Sequence, residues 1–542
     1  MKKKKKILMI VVVIAFIISV IGCAANEPAP AAPAADNQPA DTEPTDTEPA
    51  DTEPADTEPA DTEPADTEPA DNQPAGERMT IEFFSSGVVQ PENCVIKAAI
   101  DEALNINFIN NTSLSGDDFR TQLNLRIAAD DAPDAFGVMN RNDLIAMRNT
   151  GVILELTPYL DQVPNYVELA GPSIEKGYIG PELWAFTNQM NMHPSQTTYV
   201  RQDWLDNLGM SLPTNLEEFK DMLIAFREED PNQTGVQDTF GIGGFEGVVG
   251  FSEIFNAFGV PLPGFFFVRD GEAINSLDDP ATVEALAFIS ELYDAGVIYP
   301  QSFSQTYTQA HHGAIAGRYG AVRMAFFEMR KIEYVEEMMA IEPNTNWVPL
   351  PAIEGPRGER FHHDKDVAGG GSMRALPASL PNDPERLAKV LEIFDWVSHG
   401  EGLNKVLFGQ EGVHHIRDEN NVVVEITDEL LRIGGYFWTW QFGGRPEAEF
   451  YQVRWAIMRD DIEFNGAVDR ITTFNSILTP PDDFHPTDAQ TYMNEMLVSF
   501  ATGATPLSEF PAFLDTLKTT FGYQSYIDAG IEQMIERGFA SR

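Results

Sequence analysis

From Asp36 to Ala75 the chain is eight five-residue units. Asp36-Asn37-Gln38-Pro39-Ala40 opens the array, six Asp-Thr-Glu-Pro-Ala units follow (the first ending in Thr45), and Asp71-Asn72-Gln73-Pro74-Ala75 closes it. A proline at every fifth position interrupts any helix, and the tract has no large apolar side chain to bury. Two acidic charges in each central unit repel along the chain. The tract therefore reads as an extended spacer, reaching at most about 3.1 Å per residue, or roughly 170 Å over residues 23–77. Any core must be built on one side of it.

The N-terminal side is too short for a core and has another signature. Lys2 to Lys6 form a positive cluster, and Ile7 to Ile21 is almost unbroken aliphatic sequence. This is the pattern of a secretory signal, shorter than a comfortable membrane span. Val20-Ile21-Gly22-Cys23 ends it and resembles a bacterial lipobox. The resemblance implies a signal peptide over residues 1–22, cleavage before Cys23, and a diacylglycerol anchor with palmitate on the Cys23 thiol. Residues 23–77 are then a tether, and the expected location is the extracytoplasmic face of the cell membrane.

The fold lies C-terminal to Gly76, in a stretch long enough for two domains. From Arg78 onward, 68 acidic side chains face 31 basic ones. A globule this acidic is a poor ligand for nucleic acid, which rewards Lys and Arg. Cys94 is the one cysteine besides Cys23, which excludes a disulfide framework and any Cys-based metal site.

Along the globule, strand-like and helix-like segments alternate, which argues for an α/β fold. Met79 to Phe84 has strand composition. Asp117 to Ala129 reads as a helix with Phe119, Leu123 and Ile127 on one face, and Asp134 to Met139 as a short strand. Arg201 to Met210 is a short amphipathic helix closed by Gly209. Thr214-Asn215-Leu216-Glu217 then forms a capping box that starts a helix with the stripe Leu216, Phe219, Met222, Leu223 and Phe226. Gly320 to Phe327 reads as a strand ending in aromatics. Val367 to Ser372 reads as a glycine-rich strand, and Asp383-Pro384 as the cap of a further helix.

Several of these segments carry a resemblance. Arg201-Gln202-Asp203-Trp204-Leu205, Pro213-Thr214 with Glu217, and Asp230-Pro231-Asn232 followed by Gly235, Asp238 and Gly241-Ile242 stand in one order. With Ala132-Pro133-Asp134 and the run Leu403 to His414, they resemble the family 1 extracellular solute-binding proteins of ABC importers, in particular the long lipoprotein branch that binds oligosaccharides. The resemblance covers most of residues 79–542. It implies a two-lobed periplasmic-binding-protein type II fold with a hinge between the lobes, crossed near 190–199, 366–376 and 430–436. Lobe one would be 78–195 plus 375–432, and lobe two 196–368 plus 433–542. The implied function is capture of a carbohydrate by hinge closure and delivery to ABC permease subunits, by a monomer without bond chemistry or a required cofactor. The competing readings are an adhesin or polysaccharide-active enzyme on an acidic stalk, or the same fold binding a peptide or polyamine.

Sugar recognition calls for flat apolar faces and side chains that hydrogen-bond hydroxyls. Tyr436 to Trp440 supplies a dense aromatic run, so Trp438 and Trp440 are the leading stacking candidates. By the resemblance, Phe326 and Phe327 have a similar claim. Trp184, Asn140, Arg141, Arg323 and Glu246 are the further polar or stacking candidates, and for each the competing reading is ordinary packing. The Asp230 loop sets Asp230, Asn232, Thr234 and Asp238 at offsets one, three, five and nine, with the Val236 carbonyl at seven, as in an EF-hand-like calcium loop. Only two of these are carboxylates, so a structural Ca2+ and a hydrogen-bonded Asx turn both stay open. The pairs His311-His312, His362-His363 and His414-His415 offer one useful metal ligand each at best, because sequence neighbours point apart on strands and helices. Ser173-Ile174-Glu175-Lys176 matches a hydrolase pattern without its companion motifs, and neither Gly-x-Ser-x-Gly nor a P-loop is present.

Overall fold

A computed structural model describes residues 78–86, 94–113, 116–187, 195–369, 371–427, 429–430, 442, 453, 456–481, 484 and 486–541. The chain divides into two units, 1–73 and 74–542, and every described residue lies in the second. Cys23, the repeat tract, Trp438 and Trp440 lie outside the described residues.

The second unit is a two-lobed α/β fold. Its first sheet runs in the order Ile106–Ser113, Met79–Ser86, Ala135–Val138, Met373–Ala375, Phe186–Thr187. The first three strands are parallel, with Ile81 opposite Phe108 and Phe83 opposite Ala135, whereas Met373–Ala375 runs antiparallel to both its neighbours. Parallel strands need covered faces. The Val95–Leu104 helix buries Ile96, Ile100 and Leu104 on one side, and the chain turns back at Asn105 in the left-handed region, φ 51°. The Pro384–Trp396 helix is capped by Asp383, which accepts from the Arg386 amide. It returns from far along the sequence to place Phe394 against Phe83 and Phe186, ring centroids 5.4 and 4.6 Å apart. Phe442, in the stretch assigned by resemblance to lobe two, packs on Phe108 of this core at 5.7 Å.

Two further sheets share the other lobe. One runs Trp347–Pro349, Gln196–Arg201, Tyr319–Ala325, Phe240–Gly243; the other runs Glu272–Asn275, Phe266–Arg269, Ile471–Thr473, Asp364–Asp366. Trp204 and the side chains Phe219, Met222, Leu223 and Phe226 of the Leu216–Glu228 helix are fully buried, the helix packing on the Phe240–Gly243 and Tyr319–Ala325 strands of the first of these sheets. Each such side chain contributes roughly 1.5–3 kcal/mol of burial. Gly320 is required here: a Cβ would run into the Phe226 ring and stand 2.8 Å from Trp204. The chain leaves the first sheet after Thr187 and re-enters a second-lobe sheet at Gln196; Asp366 and Met373 likewise belong to different sheets.

Some sequence expectations shift. The 216–228 helix is capped by Asn215, which accepts from the Glu218 amide at 3.0 Å, while Glu218 takes the Thr214 amide and hydroxyl, so the capping pattern sits one residue later than expected. The strand expected through Phe327 ends at Ala325, and Phe326 starts the short Phe326–Arg330 helix. No described helix is long and apolar enough to cross a membrane.

Candidate functional site

A cavity on the second lobe has a volume of about 550 Å³, within the range of small-molecule sites. Distant parts of the sequence meet there. Strand Tyr319–Ala325 carries Arg323, and the loop after Phe240–Gly243 carries Phe245 and Glu246. The paired strands Asp364–Asp366 and Ile471–Thr473 bring Asp364, Asp366 and Thr473 side by side, with Asn475 just beyond. The Pro486–Ala501 helix adds Gln490 and Asn494, one turn apart on one face. Phe245, Phe265 and Tyr307 supply apolar faces.

The polar groups are held. Asp364 accepts from Asn256 Nδ2 at 2.8 Å, and burial pushes its carboxyl up to about 6. Asp366 accepts from Ser476 Oγ at 2.6 Å and from the Ala368 amide at 3.0 Å, both on Oδ1; burial raises it as well. Arg323 Nη1 donates to the Val249 carbonyl at 3.2 Å, and burial lowers its pKa against the pull of Asp364, Glu253 and Glu246. Glu246 sits in the left-handed region, φ 49°, with its amide donating to the Gln305 carbonyl, so its exposed side chain is set by a strained turn. The result is a preformed cavity of amides, carboxylates and one guanidinium beside aromatic faces.

Residues 101–398, more than half of the chain, match the family described as bacterial extracellular solute-binding protein. The chain belongs to that family. Among its curated relatives, Lipoprotein LipO of Bacillus subtilis (strain 168) is 23% identical over 290 residues, 52% of this chain and 56% of LipO. The polygalacturonan/rhamnogalacturonan-binding protein YtcQ of the same organism is 22% identical over 308 residues, 55% of this chain and 59% of YtcQ. The matches thus span little more than half the length of these relatives. Among solved structures, the S. pneumoniae substrate-binding protein FusA, an EF-hand mutant in complex with fructo-nystose, superposes with a TM-score of 0.63. It is 16% identical and is matched over 84% of this chain and 99% of FusA.

Within this solute-binding fold, the residues singled out from sequence fall in different places. Arg323 and Glu246 line the cavity. Arg141 borders an adjoining cavity of about 210 Å³ and spans the lobes: its Nε donates to the Leu478 carbonyl (2.8 Å), Nη1 to Lys176 O (2.9 Å), and Nη2 to Tyr178 O (2.7 Å) and Thr479 Oγ1 (2.8 Å). Asn140 caps the Arg141–Asn149 helix, accepting from the Asp143 amide. Trp184 packs in the first lobe with Arg148 5.9 Å above its ring. Phe326 is buried against the core, and half-buried Phe327 lies under Lys331. Asp364, Asp366, Phe245, Tyr307, Gln490 and Asn494 escaped sequence reasoning. One signal was present: Asp364-Lys365-Asp366 alternates on a strand, which puts both carboxylates on one face.

The solute-binding globule also has an oxygen-lined loop at Asp230. Thr234 Oγ1 stands 3.4 Å from Asp230 Oδ1, 3.2 Å from Asn232 Oδ1 and 3.4 Å from the Val236 carbonyl. Oxygens about 2.4 Å from one calcium ion have edges of this length, and the donors are all hard, so the set fits Ca2+. Asp230 also accepts the Thr234 and Gly235 amides at 3.1 and 2.8 Å, the Asx-turn arrangement, which leaves the loop shaped without an ion.

Beneath the cavity lies a buried charge cluster. Glu253 is 2% exposed, and neither carboxyl oxygen receives a directed hydrogen bond. His363 Nε2 is 3.2 Å and His362 Nε2 3.7 Å from its Oε2. Both members of this pair thus turn to one group, contrary to the expectation that neighbours diverge. The cause is His363 at φ 54°, which breaks the alternation. The Leu350 carbonyl, 3.0 Å from His362 Nε2, requires a hydrogen on that nitrogen, so the atom facing Glu253 is no metal ligand. Burial pushes Glu253 up to about 8, opposed by Arg470 and Arg323, and drives His362 down to about 3.

Proposed function

We propose that the protein is a lipid-anchored substrate-binding protein that captures a carbohydrate, an oligosaccharide by preference, for an ABC importer. The observation that carries this reading is the cavity itself, where side-chain amides and carboxylates suited to hydroxyls stand beside Phe245, Phe265 and Tyr307. It opens next to the passage where the chain leaves Asp366 for the first-lobe strand Met373–Ala375. The ligand bridges lobe one (78–195 plus 375–432, with Phe442 packed on its core) and lobe two (196–368 plus the rest of 433–542), and closure about the hinge presents a form that the permease subunits recognise. Trp438 and Trp440 are the stacking faces of this reading. No covalent step and no cofactor are needed, and the receptor acts as a monomer. Cys23 carries the anchor after removal of residues 1–22, and residues 23–77 set the globule away from the extracytoplasmic face of the membrane. Asp230, Asn232, Thr234, Asp238 and the Val236 carbonyl hold a structural Ca2+ that supplies charge compensation and takes no part in ligand binding.

A thermal-shift screen against an oligosaccharide library tests this reading, because a ligand at a hundred times its Kd adds about 2.7 kcal/mol. Hits should compact the protein in solution scattering without releasing product. Glycan cleavage, or stabilisation by peptides alone, would sink it.

A further inference from the structure

We propose that the cleft selects oligosaccharides of uncharged or amino-bearing sugars and turns away uronic acids, an inference that rests on the carbohydrate reading above. Among the described residues, three carboxylates line the cavity, Glu246, Asp364 and Asp366, against one guanidinium, Arg323. A receptor for uronates needs the reverse, since every sugar unit brings a carboxylate that must meet a cation or a planar fork of donors.

The described cations around the cleft offer little net positive charge to an anion. Arg323 gives Nη1 to the Val249 carbonyl while its buried Nε has no partner, but its charge already faces the carboxylates of Asp364 and Glu246. Arg141, at the adjoining cavity, has four of its five N–H bonds committed to Lys176 O, Tyr178 O, Leu478 O and Thr479 Oγ1. The Lys176 ammonium donates to the Gly369 carbonyl and faces the charge of Asp366. An incoming carboxylate would instead meet three of its own sign in a site of reduced dielectric, where like charges cost several kcal/mol.

The same carboxylates suit hydroxyl and ammonium donors. A carboxylate is acceptor-only and receives two neighbouring hydroxyls, one on each oxygen. Asp366 takes bonds from Ser476 Oγ and Ala368 N on Oδ1 and a further one from the Ser476 backbone, which leaves acceptor capacity among the roughly four lone-pair sites of a carboxylate. Gln490 and Asn494 offer donor and acceptor together, which fits sugar hydroxyls and gives no preference for an anion. Farther out, 68 acidic against 31 basic side chains from Arg78 onward slow the encounter with any polyanion.

The test is a glycan array of fructans, glucans, glucosamine oligomers, oligogalacturonates and oligoalginates, probed with the full chain, followed by calorimetry on the hits. Neutral or amino oligosaccharides should bind at least about a hundredfold more tightly than uronates of equal length, as a like-charge penalty of a few kcal/mol requires. The double variant E246Q/D366N should narrow that ratio by raising uronate affinity. Uronates binding as tightly as neutral sugars would overturn the charge rule while leaving a carbohydrate receptor. Binding to no glycan of any class would overturn both.

Discussion

Replacing Glu253 by Gln tests whether the buried cluster under the cleft carries an uncharged carboxyl. Glu253 sits 2% exposed among His362, His363, Asp364, Arg323 and Arg470. Burial raises its carboxyl from 4.5 to about 8, so between those values the folded state holds a proton that the unfolded chain has released. Stability from this group is complete below pH 4.5 and is lost as pH rises through 8, at about 1.4 kcal/mol per pH unit. The histidines oppose it over part of the range. His362 is driven from 6.5 to about 3, so its contribution is complete above 6.5 and is lost as pH falls, and His363 moves in the same direction. Asp364, raised from 3.8 to about 6, behaves as Glu253 does but finishes titrating earlier. From about pH 4.5 to 6 these slopes cancel, and from 6.5 to 8 Glu253 acts alone.

The expected outcome is a flat stability profile in mildly acid solution, then a loss of about 2 kcal/mol between pH 6.5 and 8. Glu253→Gln copies the protonated carboxyl in shape and should remove that decline, matching wild type near pH 6 and exceeding it above pH 8. Denaturant unfolding at a series of pH values reads the difference directly. Parallel profiles for the two proteins from pH 6.5 to 9 would refute the reasoning, because they would mean that Glu253 is ionised throughout and compensated by Arg470 and Arg323.

Other perturbations read other parts of the molecule. Chelation should lower the melting temperature of the wild type and added Ca2+ restore it, while Asp230→Ala should melt low and ignore both; calorimetric scans with EDTA decide it. Arg141→Leu strips donors from three backbone carbonyls that belong to both lobes and should cost about 3 kcal/mol or more in denaturant unfolding. Gly320→Ala pushes a methyl into the Phe226 and Trp204 rings and should cost about 1–3 kcal/mol, measured the same way. Trp438→Ala and Trp440→Ala should each weaken oligosaccharide binding about tenfold, the loss expected from one stacking face, with the melting temperature of the free protein unchanged.

Local order was legible in the sequence where one segment decides its own structure. The stripe Leu216, Phe219, Met222, Leu223 and Phe226 announced a buried helix face, and all five are buried. Gly209 announced a helix end and lies at φ 66°. Errors came where two local solutions compete. Thr214 and Asn215 both make good caps, and Asn215 prevailed because Glu218, one residue later, could take the Thr214 amide and hydroxyl together. Phe326 follows a strand, yet the chain bends into a helix after Ala325 and buries that ring.

The cleft was far less legible, for a reason that lies in the topology. The sheet beneath it joins Phe266–Arg269, Ile471–Thr473 and Asp364–Asp366, so strands about one hundred to two hundred residues apart become neighbours. A motif search looks along the chain and cannot see that pairing, which is why Asp364 and Asp366 were passed over while Trp184 and Asn140, nearer to recognisable motifs, were not. Arg141 shows the converse. An arginine beside a cleft invites a ligand role, but its donors are spent on carbonyls of both lobes, so its charge serves the junction between them. With Arg141 so occupied and Arg323 outnumbered by Glu246, Asp364 and Asp366, the acidity of the whole chain extends to the floor of the cavity. The net charge that sequence alone could apply only to nucleic acids thereby becomes an argument about which sugars the cavity admits.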